Sequence, residues 1–139
     1  IKPLANDPNP GVRETAWLAL RNEFIDQLEP AIKYLKPWTK DSSPNIRRYV
    51  SELSRPNGVW CSHIKILKEK PELGIPILEP LKNDDSKYVQ DSVGNWLNDS
   101  SKSQPKFVIE LCNKWKRESP TKNTSRIIKK SLRTLNKSK

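Results

Sequence analysis

Arg48 and Glu52 stand four residues apart, the spacing that puts two side chains on one face of a helix, and Asp99 lies on a second helical stretch. Taken alone, such an Arg–Glu pair is a solvated salt bridge worth well under 1 kcal/mol. Two neighbours change that weighing. Trp60 follows Arg55, Pro56, Asn57 and Gly58, a stretch whose proline and glycine break a helix, so a large aromatic ring is set on a loop. If the helices bearing Glu52 and Asp99 lie side by side, the two carboxylates converge on one surface, where they would stabilise a cation. Other chemistries fit poorly. A single histidine, His63, speaks against a Ser-His-Asp triad or a zinc protease, and the two cysteines, Cys61 and Cys112, are too few for a disulfide framework or a thiolate zinc site. Both cysteines have apolar neighbours and read as reduced packing residues, which suits a cytoplasmic protein.

The charge distribution names a partner class. Residues 1–100 carry 14 basic and 14 acidic side chains and residues 101–139 carry 12 and 2, so the formal charge of +10 belongs to the last stretch. That asymmetry is the electrostatic footprint of a phosphate-backbone binder. A lysine-rich end that merely aids solubility is the alternative. The candidate phosphate contacts are Lys106, Lys114, Arg126, Lys129, Lys130 and Arg133, with Arg55 on the loop side.

These residues need a scaffold, and the scaffold repeats. Asp7-Pro8-Asn9-Pro10-Gly11-Val12-Arg13 returns as Asp41-Ser42-Ser43-Pro44-Asn45-Ile46-Arg47 and as Asp84-Asp85-Ser86-Lys87-Tyr88-Val89-Gln90. It returns more loosely as Thr121–Ile127. The apolar markers Val12, Ile46, Val89 and Ile127 lie 34, 43 and 38 residues apart, the period of HEAT-like helical repeats. Each copy opens with a residue whose side-chain oxygen can cap a helix start.

Helical spacing follows each opening: Ile46, Val50 and Leu53; Val89, Val93, Trp96 and Leu97; Ile128, Leu132 and Leu135. Partner helices are expected over Pro30–Trp38, about Pro71–Lys82, and Pro105–Arg117, where Val108, Leu111, Cys112 and Trp115 form the buried face. With 34% apolar and 30% charged residues, one thick core is out of reach, whereas stacked helix pairs need less apolar material. The expectation is an all-α HEAT-like repeat α-solenoid, a right-handed superhelix of antiparallel helix pairs. It forms one domain over 1–139, with repeats at about 7–40, 41–83, 84–120 and 121–136. The chain opens on Ile1 and holds no methionine, so an N-terminally incomplete fragment is expected. No membrane span or signal segment is evident.

Arg48-Tyr49-Val50-Ser51-Glu52, then Ser54-Arg55-Pro56 and Trp60, resembles the R-x-x-x-E-x-x-R-P…W signature of the AlkC-type alkylpurine DNA glycosylases. These enzymes belong with the AlkD type in the HEAT-like DNA alkylation repair superfamily. Leu78–Val89 and Ser92–Asp99 resemble the following repeat, and the likeness runs from about Asp41 to Leu135. The resemblance implies excision of cationic N3- or N7-alkylated purines from double-stranded DNA, with little or no base flipping and no metal or organic cofactor. It implies that Glu52 and Asp99 stabilise the oxocarbenium-like sugar and orient water, that Arg48 holds Glu52 or a phosphate, and that Trp60 stacks on sugar or lesion. Glu14 resembles a further family carboxylate, at a slightly different spacing. Leu53 departs from a frequent glycine, and Asn95 stands where the AlkD type has tryptophan, with Trp96 one position off on the buried side. A monomeric DNA repair enzyme is expected; a non-catalytic DNA-binding HEAT paralogue and a protein-interaction scaffold are the alternatives.

Overall fold

The computed structural model describes residues 2–57 and 64–137. The described elements are α1 (Lys2–Ala5), α2 (Pro10–Asp26), α3 (Leu28–Leu35), α4 (Pro44–Leu53), α5 (Lys65–Glu69), α6 (Ile75–Leu78), α7 (Lys87–Ser101), α8 (Pro105–Glu118), α9 (Lys122–Ser131) and α10 (Arg133–Lys137), joined by 3-10 turns at Lys36–Lys40, Pro71–Gly74 and Glu79–Leu81. Among the described residues there is no strand, and the architecture is all-α. No described helix is long and apolar enough to cross a membrane.

The helices stack in two layers. In the first layer α2 packs on α4, α4 on α7, and α7 on α9. In the second, α3 and the 3-10 turn after it touch α6, and α8 leans on α7 and α9. Between the layers lies a continuous apolar core that includes Ile46, Val50, Leu53, Leu78, Leu81, Val93, Leu97, Val108, Trp115 and Ile127. The helical stripes expected for α4, α7 and α8 are buried here.

A repeated turn opens the first three long helices. Asp7, Asp41 and Asp84 each accept a bond through Oδ1 from the backbone N–H two residues on, at 2.8, 2.9 and 2.9 Å. A side chain near each helix start then reaches back to the same turn: Arg13 and Arg47 donate Nη1 to the carbonyls of Asp7 and Asp41 at 2.8 Å, and Gln90 donates Nε2 to that of Asp84 at 2.7 Å. The turn also ties neighbours together, for Arg47 Nε lies 2.8 Å from Asp84 Oδ2 in the next copy. The expected caps are only partly side-chain caps. Asn9 accepts from the Gly11 N–H and Thr121 from the Thr124 N–H, whereas Ser43 and Ser86 make no such bond.

The fourth copy sits in a different register from the one its sequence suggests. Thr121 is the capping residue of α9, equivalent to Asn9, Ser43 and Ser86 rather than to the aspartates two residues earlier. Thr124 therefore takes the place of the apolar markers, and it is fully buried with its hydroxyl donated to the Lys82 carbonyl at 2.7 Å. Ile127 and Ser131 face the core, while the expected stripe residues Ile128 and Leu132 are only partly buried.

The second layer is more broken than its periodicity suggests. The segment expected as one helix from Pro71 to Lys82 is a 3-10 turn, α6 and another 3-10 turn in succession. Pro76 and Pro80 each lack the N–H that would bond back four residues, so no continuous α-ladder can form. Likewise α3 starts earlier, at Leu28, and passes into a 3-10 turn from Lys36, with Pro37 at its first turn. Two close approaches fix the packing, the first between the layers and the second within the first layer. A Cβ on Gly74 would stand 2.4 Å from Trp96 Cζ2, and one on Gly94 would stand 2.7 Å from Lys130 Cβ. Trp96 itself is fully buried and donates Nε1 to Ser54 Oγ at 3.0 Å, which joins α7 to the end of α4.

Candidate carboxylate site and nucleic-acid interface

Counting from the capping residues Asn9, Ser43, Ser86 and Thr121 places equivalent side chains on one face of the first layer. Five residues on stand Glu14, Arg48, Asp91 and Arg126; nine on, Leu18, Glu52, Asn95 and Lys130; twelve on, Arg21, Arg55, Asn98 and Arg133. A step of four keeps a helix face, so the first two sets are rows running across the layer, whereas the third set lies within α2 and α7 but past the ends of α4 and α9. Arg48 and Glu52 on α4 thus share a face with Arg126 and Lys130 on α9; Arg55, on the turn after α4, is tied to Glu52, and Arg133, at the start of α10, donates Nη1 to the Lys130 carbonyl at 3.0 Å.

Arg55 joins the two carboxylates. Its Nε lies 2.9 Å from Asp99 Oδ2 and its Nη2 donates to Asp99 Oδ1 at 3.3 Å, while Nη1 donates to Glu52 Oε2 at 3.2 Å. Glu52 and Asp99 are both 4% exposed. Arg48 Nη2 stands 2.8 Å from Glu52 Oε1, a close charge contact that is not aligned as a hydrogen bond, so that oxygen keeps unused acceptor capacity. With Glu52 buried, the pair is not the solvated salt bridge that the i,i+4 spacing taken alone suggests. Removal from water raises the Asp99 pKa above the ordinary aspartate value, against the opposing pull of Arg55 and Lys102. Burial works against the charge on Arg55 too, but its bonds to Asp99 and the nearby Glu52 outweigh that and hold the guanidinium above its usual value.

Three arginines and a tyrosine build the surroundings. Arg21, buried inside α2, donates Nη1 to the Leu53 carbonyl at 3.0 Å and Nη2 to the Arg55 carbonyl at 2.6 Å. It satisfies carbonyls left open where α4 ends and so fixes the backbone that carries Arg55. Tyr88 opens α7 and lies under Arg48, whose guanidinium carbon is 4.0 Å from the ring centroid. Arg48 Nη1 also donates to the Tyr88 carbonyl at 2.7 Å, and Arg13 Nε donates to Tyr88 Oη at 3.2 Å. Arg48 is therefore held from two sides with one nitrogen on Glu52.

A groove of about 310 Å³ opens over this cluster, lined by Glu14, Arg48, Tyr49, Glu52, Arg55 and Tyr88 among others. Glu14 is exposed on the α2 wall. Asp99 is not part of the lining and sits behind Arg55. Tyr49 is buried with its hydroxyl unpartnered, and burial pushes its pKa up to about 12. Arg55, expected at the phosphates, is turned onto the carboxylates. Lys129 and Arg133 are exposed on α9 and α10, and Arg126 and Lys130 are half-exposed. Lys106 and Lys114 are exposed on α8, in the second layer, away from these rows. Trp60 lies outside the described residues, as do Cys61 and His63. Sequence reasoning missed Arg13, Arg21 and Tyr88. The repeated Arg13/Arg47 position was a usable signal for the first; nothing in the spacing announces the other two.

The fold and these rows define a HEAT-like all-α repeat protein, and comparison with known proteins narrows it further. No family model matches the chain. An uncharacterized protein, YhaZ, of Bacillus subtilis (strain 168) is 38% identical over 121 residues, which cover 87% of this chain and 33% of that protein. The Pseudomonas fluorescens alkylpurine DNA glycosylase AlkC, solved bound to DNA containing an abasic site analog, superposes with a TM-score of 0.81 at 35% identity, covering 88% of this chain and 34% of the solved one. The chain thus spans about a third of the length of the proteins it matches. It is related to the AlkC-type proteins.

Proposed function

We propose that this chain is part of an alkylpurine DNA glycosylase, a monomeric cytoplasmic enzyme that grips double-stranded DNA without reading its sequence and excises cationic N3- or N7-alkylated purines. The observation that carries this reading is the buried Glu52–Arg55–Asp99 bridge beneath a groove on the face that also bears Arg126 and Lys130. An alkylated purine already carries positive charge and is an activated leaving group. The enzyme's task is then to stabilise positive charge developing on the sugar and to hold a water, which buried carboxylates do well in a water-poor site. Four charges, Arg48, Arg55, Glu52 and Asp99, sum to zero in the free protein. A DNA phosphate drawing Arg48 outward would leave net negative charge at the groove as the sugar becomes cationic, with Arg55 staying on the two carboxylates. Glu52, with its spare acceptor capacity at Oε1, is the water-orienting group, and Asp99 acts from behind Arg55. Glu14 faces them across the groove, and Trp60 would supply the stacking surface.

The test is release of 3-methyladenine and 7-methylguanine from methylated duplex DNA. Wild-type protein should release at least one of them, and Glu52→Gln should slow release by roughly 100-fold or more, the scale of removing one well-placed charge-stabilising group. No release above background, with Glu52→Gln making no difference, removes the enzyme reading. A second reading is a DNA-binding repeat unit without catalysis, favoured by the ion pairs that both carboxylates make with arginine. It predicts salt-dependent duplex affinity with no base release.

A further inference from the structure

Asp91 occupies on α7 the position that Arg48 occupies on α4 and Arg126 on α9. An acid in that row, on a surface read as meeting a polyanion, is electrostatically misplaced unless it acts on its neighbours. It does have neighbours. Arg126 Nη2 stands 2.7 Å from Asp91 Oδ1, and Lys130 Nζ stands 3.6 Å from the same oxygen. Arg126 Nη1 also donates to Gln90 Oε1 at 3.2 Å, which fixes the guanidinium over α7. Gly94 allows the approach of Lys130, since a Cβ there would overlap its stem at 2.7–3.0 Å. The shared oxygen, Asp91 Oδ1, is buried, but all three side chains remain about a third exposed, so the two cations are open to a competing anion.

We propose that Asp91 is a built-in attenuator of the phosphate-contacting patch formed by Arg126 and Lys130, holding both cations in ion pairs in the free protein and lowering its affinity for a phosphodiester backbone. The inference rests on the nucleic-acid reading of this face and adds a role for the seam between α7 and α9. Exposed ion pairs are weak and screened by salt, so a phosphate can take over either cation, and Arg–phosphate geometry favours that exchange. The exchange leaves Asp91 facing the backbone, whose charge repels it. Binding at the seam is thereby held down wherever the groove adds nothing, which suppresses non-specific retention.

The experiment compares Asp91→Asn with Asp26→Asn, which makes the same change in net charge at an exposed position at the far end of α2. Affinity for a 20-base-pair duplex is measured between about 0.05 and 0.2 M salt. Asp91→Asn should bind about ten-fold tighter than Asp26→Asn at 0.1 M salt, and its logarithmic salt slope should steepen by about one, the effect of roughly one more neutralised phosphate. Adding Lys130→Gln to Asp91→Asn should cancel part of the gain. Equal affinities and slopes for the two single variants overturn the proposal. If neither they nor the wild type bind duplex, the DNA reading falls. Elution from heparin then decides the seam alone: Asp91→Asn leaving the column later than Asp26→Asn upholds it, and co-elution overturns it.

Discussion

Replacing Arg55 with methionine tests whether this guanidinium is a structural clamp or a free phosphate contact. Its side chain is 14% exposed and those of Glu52 and Asp99 are 6% exposed, so the substitution leaves two carboxylates close together and shielded from water. Removing one member of a buried ion pair destabilises by about 3–5 kcal/mol, most of it from the charge left behind. Arg48 still neutralises Glu52 in part, which places the expected loss near the lower end, about 3 kcal/mol, or roughly 10 °C in the thermal midpoint. The loss should depend on pH with a definite sign. Asp99 already has a raised pKa in the folded state, and losing Arg55 raises it further. A folded state that binds a proton more tightly than the unfolded one loses stability as pH rises through the folded pKa. The variant should therefore be weakest near pH 7 and should recover as pH falls toward the usual aspartate range. Adding Asp99→Asn should restore much of the loss at pH 7. Urea unfolding at two pH values measures both effects. Unchanged stability at pH 7, combined with weakened DNA affinity, would refute the clamp and return Arg55 to the phosphates.

Two further outcomes follow from the core. Gly74→Ala puts a carbon 2.4 Å from Trp96 Cζ2, so the indole or the 3-10 turn must shift, at about 1–3 kcal/mol measured by chemical unfolding; a neutral substitution would mean the two do not touch. Cys112 is buried, and removal from water pushes its thiol pKa up to about 11, against the Ser131 hydroxyl. In a Cys61→Ser background its reaction with a disulfide reagent at pH 8 should be at least about 100-fold slower than that of a free cysteine until urea is added, because the thiolate is the nucleophile. Rapid labelling of the native protein would contradict the packing around α8 and α9.

The first layer was legible because its signals are local. An aspartate and a capping residue two places on follow from the chemistry of a helix start and recur at α2, α4 and α7, and in α4 and α7 an apolar stripe at steps of three and four comes after them. The second layer was not, since apolar spacing over Pro71–Lys82 says where side chains point but not whether the ladder survives Pro76 and Pro80. The register of α9 was misread for a related reason. Thr121 matches the opening aspartates as a polar turn residue, and only the position of the first helical N–H separates the residue two before the cap from the cap itself.

The site divides along the same line. Arg48 and Glu52 were visible as an i,i+4 pair, and Asp99 as a carboxylate on the neighbouring helix, because each statement needs only helical periodicity and lateral stacking. Arg55 lies past the last residue of α4, where periodicity ends, and its direction is set by bonds from another repeat. Arg21 on α2 holds the carbonyls of Leu53 and Arg55, and that fixed turn aims the guanidinium between α4 and α7. A basic residue on a loop of a basic helical-repeat chain reads as a phosphate contact from sequence; buried beside two carboxylates it becomes their counter-ion, since the cost of leaving either acid unpaired exceeds anything an exposed contact returns. On the proposed nucleic-acid reading, the same comparison leaves Arg126 and Lys130, paired with Asp91 but a third exposed, able to exchange partners, and Arg55 not. Exposure, more than residue type, then separates the buried Arg55 clamp from the proposed contacts.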